Sequence, residues 1–193
     1  MKDTRTAIVE SAFRLFIERG YEGASMADLV AATGLSKGAV YHHFKGKDAL
    51  HDAAIGHFFL RFFGDDAQPP AADAGLGAVL DGLCAGYVHL MDTVSTVVPD
   101  RTAYYRFVFS ILPKVKDHIG SQIAETRKRL IAAAELDQKR GTLSTLLPPE
   151  AIADHCLALI EGTALLCVVE GRPDIAAALE QSVESYRRLL EQG

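Results

Sequence analysis

The chain has 193 residues and a formal net charge of −5, with 25 acidic and 20 basic side chains. This balance excludes a surface that is basic throughout, so affinity for nucleic acid has to come from a local cluster of cations. The length allows one large domain, or a small domain followed by a medium one, and either can bury a core.

The first predicted helix runs from about Thr4 to Arg19 and ends at Gly20. Apolar residues recur in it with the spacing of one buried helix face, at Ile8, Ala12, Leu15 and Phe16. The pattern predicts an amphipathic helix that forms a three-helix unit with the two helices after it.

Two short helices joined by a tight turn follow. Ser25 and Asp28 have the spacing of a capping box at the start of the second helix. Gly34 suits its end, because glycine adopts the left-handed conformation without a steric cost. Ser36 then caps a third helix that reaches about Phe44. This arrangement is typical of a helix-turn-helix.

The third helix has one apolar face and one face suited to DNA. Val40 and Phe44 lie four residues apart on the face that must be buried, so His42 points away from the core. Residues 36–47 contain three lysines and two histidines but no acid. A cationic helix with small residues near its start fits a DNA major groove. A solvated surface helix of an ordinary bundle is the alternative.

The sequence of residues 34–50, GLSKGAVYHHFKGKDAL, resembles the signature of the tetracycline-repressor (TetR) family of bacterial transcription regulators. The resemblance extends over roughly residues 4–55. It implies a homodimer that binds double-stranded operator DNA and responds to a small-molecule effector through a C-terminal domain.

We therefore assign a set of residues to the DNA interface: Ser25, Ser36, Lys37, Gly38, Ala39, Tyr41, His42, His43, Lys45 and Lys47. His42 is expected to read base edges, and Lys37 to reach either a base or a phosphate. Tyr41, His43 and Lys47 match positions that contact the DNA backbone in TetR relatives.

A fourth helix is predicted over residues 47–63 as a connector between a DNA-binding domain, 1–46, and a ligand-binding and dimerisation domain, 47–193. Residues 64–74 contain two prolines and three aspartates and predict a break. Five more helices are expected, at about 75–96, 100–111, 113–140, 149–170 and 173–191, and prolines stand at or near the starts of the last four. The predicted fold class is all-α, with about nine helices.

Aromatic and polar residues of the second domain predict a small-molecule pocket. The predicted lining residues are Phe59, Phe63, Tyr87, Met91, Tyr104, Phe107, His118 and His155. Plain core packing is the alternative for many of these side chains. A metal site shared by His89, His118 and His155 is a further alternative, since these residues lie on separate predicted helices.

The last two helices predict a dimer interface. Residues 156–169 are apolar nearly all round with one charge, so more than one face must be covered. The predicted interface residues are Ile160, Leu166, Ile175, Leu179, Val183, Tyr186 and Leu190. A core formed within one chain is the alternative.

Other chemistry finds little support in the sequence. No phosphate-binding, dinucleotide-binding, zinc-protease or nucleophile-elbow motif occurs, so we predict no catalytic residue, metal or cofactor. The three cysteines have no metal-site spacing and indicate small apolar residues of a reduced, cytoplasmic protein without a membrane anchor. The predicted function is a ligand-responsive repressor. A transcriptional activator, or a helical carrier or enzyme with an incidental helix-turn-helix, is the alternative.

Overall fold

The computed structural model describes residues 3–58, 73–98 and 100–191, and all regular structure in these ranges is helical. Eight helices follow one another there: α1 Thr4–Gly23, α2 Met26–Thr33, α3 Lys37–His43, α4 Lys47–Phe58, α5 Leu76–Ser95, α6 Arg101–Arg140, α7 Pro149–Val169 and α8 Ile175–Glu191. The predicted all-α class is confirmed. The predicted break at 64–74 and the end of the predicted connector helix fall largely outside the described residues.

The chain divides into two compact units that are not consecutive in sequence. One unit comprises Met1–Asp66 and Asp92–Lys116, and the other comprises Ala67–Met91 and Asp117–Gly193. The sequence predicts consecutive domains instead. Residues 92–116 are grouped with the helix-turn-helix because the start of α6 packs against α1 within the first unit.

The core of the first unit is built on α1, which packs against α2 and α4. Seven apolar side chains of α1 are buried: Ile8, Val9, Ala12, Phe13, Leu15, Phe16 and Ile17. The Phe13 ring meets the Phe107 ring of α6 edge to face, with centroids 5.2 Å apart. Gly20 interrupts the helical geometry of α1 with φ 71° and ψ 170°, which confirms the predicted end of the regular helix.

In the second unit α7 and α8 pack against each other. α8 buries one stripe of apolar residues: Ile175, Ala178, Leu179, Val183 and Leu190. At the start of α5 the Leu76 N–H donates to Asp137 Oδ2 of α6 at 2.7 Å. A Cβ at Gly75 would lie 2.7 Å from that carboxylate, so any larger residue there would displace the Asp137 side chain.

Among the described residues α7 alone is long and apolar enough to cross a membrane, a property shared by the core helices of soluble proteins.

The predicted break between residues 111 and 113 is wrong. α6 runs unbroken over forty residues, with Pro113 inside it. A proline in a helix interior removes one hydrogen bond and costs about 3 kcal/mol. Ile111 and Val115 on either side of it are 2% and 5% exposed. Burying each side chain contributes about 1.5–3 kcal/mol, so packing offsets the cost of the proline.

Candidate nucleic-acid interface

The start of α2 is fixed by a reciprocal cap. Ser25 Oγ accepts the Asp28 N–H at 3.1 Å, and Asp28 Oδ2 accepts the Ser25 N–H at 3.0 Å. Arg19 Nη1 of α1 donates to Asp28 Oδ1 at 3.3 Å. The hydrogen bonds from Ser25, and secondarily the charge of Arg19, lower the pKa of Asp28. The predicted capping box is confirmed, and it ties α2 to α1.

The turn and the buried face of α3 also have the predicted geometry. Gly34 ends α2 in the left-handed conformation with φ 67°, and Ser36 Oγ accepts the Ala39 N–H at 3.2 Å. Val40 is fully buried and Phe44 is 3% exposed, as the helical spacing predicts. The opposite face of α3 is therefore directed away from the core of this unit.

The outer face of α3 and the residues after it are open to solvent. Exposed residues are Ser36, Lys37, Gly38, His42, His43 and Lys45, while Ala39 and Tyr41 are half-buried. The Lys37 ammonium lies 5.6 Å from the Tyr41 ring centroid, so these two side chains form one surface feature. A Cβ added to Gly38 would meet no other residue within 4 Å. Packing within the described chain therefore does not require glycine at this position.

The side chain of Lys47 is held at the start of α4 by Tyr21. Lys47 Nζ donates to the Tyr21 carbonyl at 2.9 Å and lies 4.1 Å from the centroid of its ring. The Tyr21 hydroxyl donates to Asp48 Oδ1, and this bond is the main reason that the pKa of Tyr21 rises to about 12. The ammonium of Lys47 is thus already anchored within the chain, and its predicted DNA contact stays a prediction.

A buried histidine joins three helices of the first unit. His51 of α4 is 4% exposed. The centroid of its ring lies 4.9 Å from that of Phe16 and 4.7 Å from that of Tyr21. The ring centroid of Phe107 is 6.2 Å away. Lys114 Nζ of α6 lies 3.5 Å from His51 Nδ1. Burial first, and the charge of Lys114 second, lower the pKa of His51. His51 is therefore neutral at pH 7 in the folded protein.

Neither His51 nor Lys114 stands out as a site residue in the sequence. The available signal is that His51 directly follows buried Leu50 and comes three and four residues before buried Ala54 and Ile55. That spacing places the imidazole beside a core face. The partner Lys114 is 63 positions away in sequence and has no local signal.

Replacing His51 with glutamine is expected to flatten the pH dependence of stability. Between the ordinary histidine pKa of 6.5 and the lowered pKa of folded His51, the unfolded chain binds one proton more. The free energy of unfolding therefore falls as the pH drops through this window, by at most about 1.4 kcal/mol per pH unit. Urea titrations from pH 7.5 to 5 measure the slope.

The matched control for that experiment is His43→Gln on the exposed face of α3. This variant should keep the slope of the wild-type protein. A His51→Gln protein with an unchanged slope would contradict a neutral, buried His51. Asp48 and Asp52 oppose the lowering of the pKa of His51, and Lys47 adds to it. The two variants and the wild-type protein should therefore be compared at one ionic strength.

The predicted pocket residues do not form one described site. Phe59 and Phe63 lie outside the described residues. Tyr104 and Phe107 belong to the first unit and are 4% exposed each, whereas Tyr87, Met91, His118 and His155 belong to the second. His155 Nδ1 lies 3.0 Å from the hydroxyl of Tyr186, which joins a predicted pocket residue to a predicted interface residue. The pocket lining stays a prediction.

Most predicted interface residues are buried within the chain. Ile175, Leu179, Val183 and Leu190 of α8, and Ile160 of α7, are at most 6% exposed. They contribute to packing within the second unit, which is the alternative expected from their sequence pattern. Tyr186 is half-buried, and Leu166 is 54% exposed. The exposed large apolar residues of these two helices are Leu165, Leu166, Val169 and Leu189.

The described residues contain no group of three or more histidine, cysteine or acidic side chains that could hold a metal ion. The three cysteines are free; Cys156 and Cys167 are buried and Cys84 is half-buried. Burial raises the pKa of Cys84 to about 11 and that of Cys156 to about 12. Both thiols are protonated at neutral pH and act as small apolar residues.

The sequence model of the bacterial regulatory proteins of the tetR family matches residues 8–54, which include α2 and α3 with their caps. The HTH-type transcriptional repressor Rv1474c of Mycobacterium tuberculosis is 48% identical over 95% of this chain and 93% of its own length. The chain belongs to the TetR family. It is a DNA-binding transcriptional regulator.

Two further comparisons cover different shares of this TetR-family chain. The HTH-type transcriptional repressor AcnR of Corynebacterium efficiens is 39% identical over 84 residues, which are 42% of this chain and 40% of AcnR. The solved structure of a transcriptional regulator from Aquifex aeolicus covers 97% of this chain and 100% of its own, with 21% identity and a TM-score of 0.64. At that identity the likeness supports the fold alone.

Proposed function

We propose that this TetR-family regulator is a cytoplasmic repressor that binds a near-palindromic operator as a homodimer. A small, largely apolar effector would release it from the operator. The observation that carries the proposal is the outer face of α3, whose imidazoles and cations are exposed while Val40 and Phe44 anchor the helix. The similarity to Rv1474c, a protein named as a repressor, favours repression over activation.

In this proposal the residues of the helix-turn-helix divide the recognition of DNA between them. His42 projects from the middle of the outer face and reads base edges in the major groove. Lys37, Tyr41, His43, Lys45 and Lys47 contact the phosphates around it, and the caps Ser25 and Ser36 hold the two helix starts beside the backbone. Gly38 and Ala39 allow close approach, which the open space around Gly38 supports.

We further propose that α7 and α8 form the dimer interface through exposed apolar side chains near the end of α7, which we call the α7 apolar surface. Its residues are Leu165, Leu166 and Val169, which are between 39% and 73% exposed. Large apolar side chains exposed together on one helix indicate an interaction site. Two helices from each chain would make a four-helix bundle, and the buried stripe of α8 would support the bundle from within each chain.

A dimer places two copies of α3 in successive major grooves, about 34–36 Å apart or a multiple of that distance. Effector binding releases the operator if the effector prefers a conformation in which this spacing no longer fits. The mechanism needs no cofactor, no membrane and no catalytic step.

A footprint on the DNA that flanks the protein's own gene tests this proposal. We expect a protected palindrome whose half-sites are separated by one helical turn or a multiple of it. A scrambled duplex of equal composition is the control and should show no protection at the same protein concentration. If no palindrome is protected, a carrier or enzyme with an incidental helix-turn-helix explains the chain better.

A further inference from the structure

The first unit contains a crevice that the proposed function does not use. It lies between α1, the segment before α6 and the first turns of α6, and has a volume of about 550 Å³. We name it the α1–α6 crevice and define it by Arg14, Ile17, Val97, Val98, Ala103 and Arg106. A volume of this size is within the range of small-molecule sites.

The floor of the α1–α6 crevice is apolar. Ile17 is 3% exposed, and Val97, Val98 and Ala103 are each 6% exposed. These side chains belong to the packed core of the first unit, so the floor has a fixed shape. An apolar floor below charged walls favours a ligand that has both an apolar body and a charged group.

Arg14 and Arg106 line the crevice, both are exposed, and most of the hydrogen-bonding capacity of their guanidinium groups is unused within the described residues. Arg14 Nε donates to the Val97 carbonyl at 3.3 Å, and this bond directs Arg14 towards the crevice. Within the part of the chain that the structure describes, the side chain of Arg106 makes no hydrogen bond or ion pair. A guanidinium offers five N–H donors in a planar fork that matches a carboxylate.

Two carboxylates also line the crevice, and their positions leave the arginines unpaired. Asp100 Oδ1 accepts the Thr102 N–H at 2.9 Å and thereby caps the first turn of α6. Glu18 follows Arg14 by one helical turn on α1. Neither acid makes an ion pair with Arg14 or Arg106 among the described residues. The cations therefore remain available to a ligand.

From this arrangement we infer that the α1–α6 crevice binds a small monocarboxylic acid with an apolar chain. Arg106 and Arg14 hold the carboxylate, and the chain lies on the floor formed by Ile17 and Val98. Bound there, the acid joins α1 to α6 within the first unit. Because α1 packs against α2 and α4, occupancy stabilises the unit that contains the helix-turn-helix. Only this regulatory consequence rests on the proposed function.

Titration calorimetry of the DNA-free protein with hexanoate tests the inference, and uncharged hexanamide serves as the matched probe. Hexanoate should bind the wild-type protein and hexanamide should bind much more weakly. Arg106→Gln should weaken hexanoate binding by about tenfold or more, because one charged hydrogen-bonding partner is lost. Arg129→Gln, an exposed arginine of the second unit, makes the same charge change and should bind like wild type.

Arg14→Gln is the second test, with folding checked by thermal melting because Arg14 also contacts the Val97 carbonyl. It should weaken hexanoate binding in the same way as Arg106→Gln. The inference is overturned if hexanoate does not bind, if hexanamide binds equally well, or if both arginine variants bind like wild type. Since no DNA is present, these outcomes leave the proposed repressor function untouched, and a missing footprint leaves the crevice untouched.

Discussion

Replacing Leu166 and Val169 with glutamate is expected to give a folded monomer that no longer holds its operator. Both side chains are exposed in the single chain, at 54% and 73%, so glutamate costs little in the monomer. In the proposed dimer each charge would be buried without a partner, and this would destabilise the dimer by about 3–5 kcal/mol per charge. A two-fold interface repeats every substitution, so the penalty counts twice. Sedimentation velocity and operator titration measure the two effects.

The matched control is Leu146→Glu, which introduces the same charge at a leucine that is 78% exposed between α6 and α7. It should remain a dimer and bind the operator as the wild-type protein does. Leu179→Glu is not a clean probe of the dimer, because Leu179 is fully buried within the chain and its substitution would damage the fold itself. A Leu166→Glu, Val169→Glu double variant that stays dimeric would place the interface elsewhere.

The second large effect is expected for His42→Ala on the outer face of α3. If His42 reads a base edge, its loss costs about 1–3 kcal/mol in each half-site of the preferred operator. Binding to random DNA should change much less, because that binding comes from phosphate contacts. The variant should therefore lose discrimination between operator and scrambled duplex. Titrations of both duplexes at several salt concentrations measure this ratio.

The neighbouring histidine provides the control for that experiment. His43 is also exposed, but it lies a further 100° around the axis of α3, where the proposal assigns it to the DNA backbone. His43→Ala should weaken binding to both duplexes alike and leave the ratio of the two affinities unchanged. Equal losses on the two duplexes for His42→Ala would show that His42 is not a base reader.

The helix-turn-helix could be predicted almost completely, because its signals are local. The Ser25–Asp28 cap, the left-handed Gly34 and the buried pair Val40 and Phe44 each depend on residues within four positions of one another. Capping and helical periodicity act over this range, so a short stretch of sequence is enough to predict the motif.

Features that depend on distant partners could be predicted less completely. The apolar spacing in α8 correctly predicts that this helix has one buried face. The spacing does not show whether α7 of the same chain or a second chain covers that face. Pro113 disfavours helix locally, but α6 continues through it because the burial of Ile111 and Val115 outweighs the cost of the proline. Lys47 belongs to a cationic cluster in sequence, while its ammonium is bound by the carbonyl of Tyr21.

The sequence by itself determined the helical class, the helix-turn-helix with its caps, and the face of α3 that remains exposed. Only the tertiary structure decided that His51 is buried against Lys114, that the α8 stripe is covered within the chain, and that Arg14 and Arg106 line one crevice. The physical reason is the range of the interactions. Caps and periodicity join residues within one or two turns, whereas packing joins side chains that are tens of positions apart.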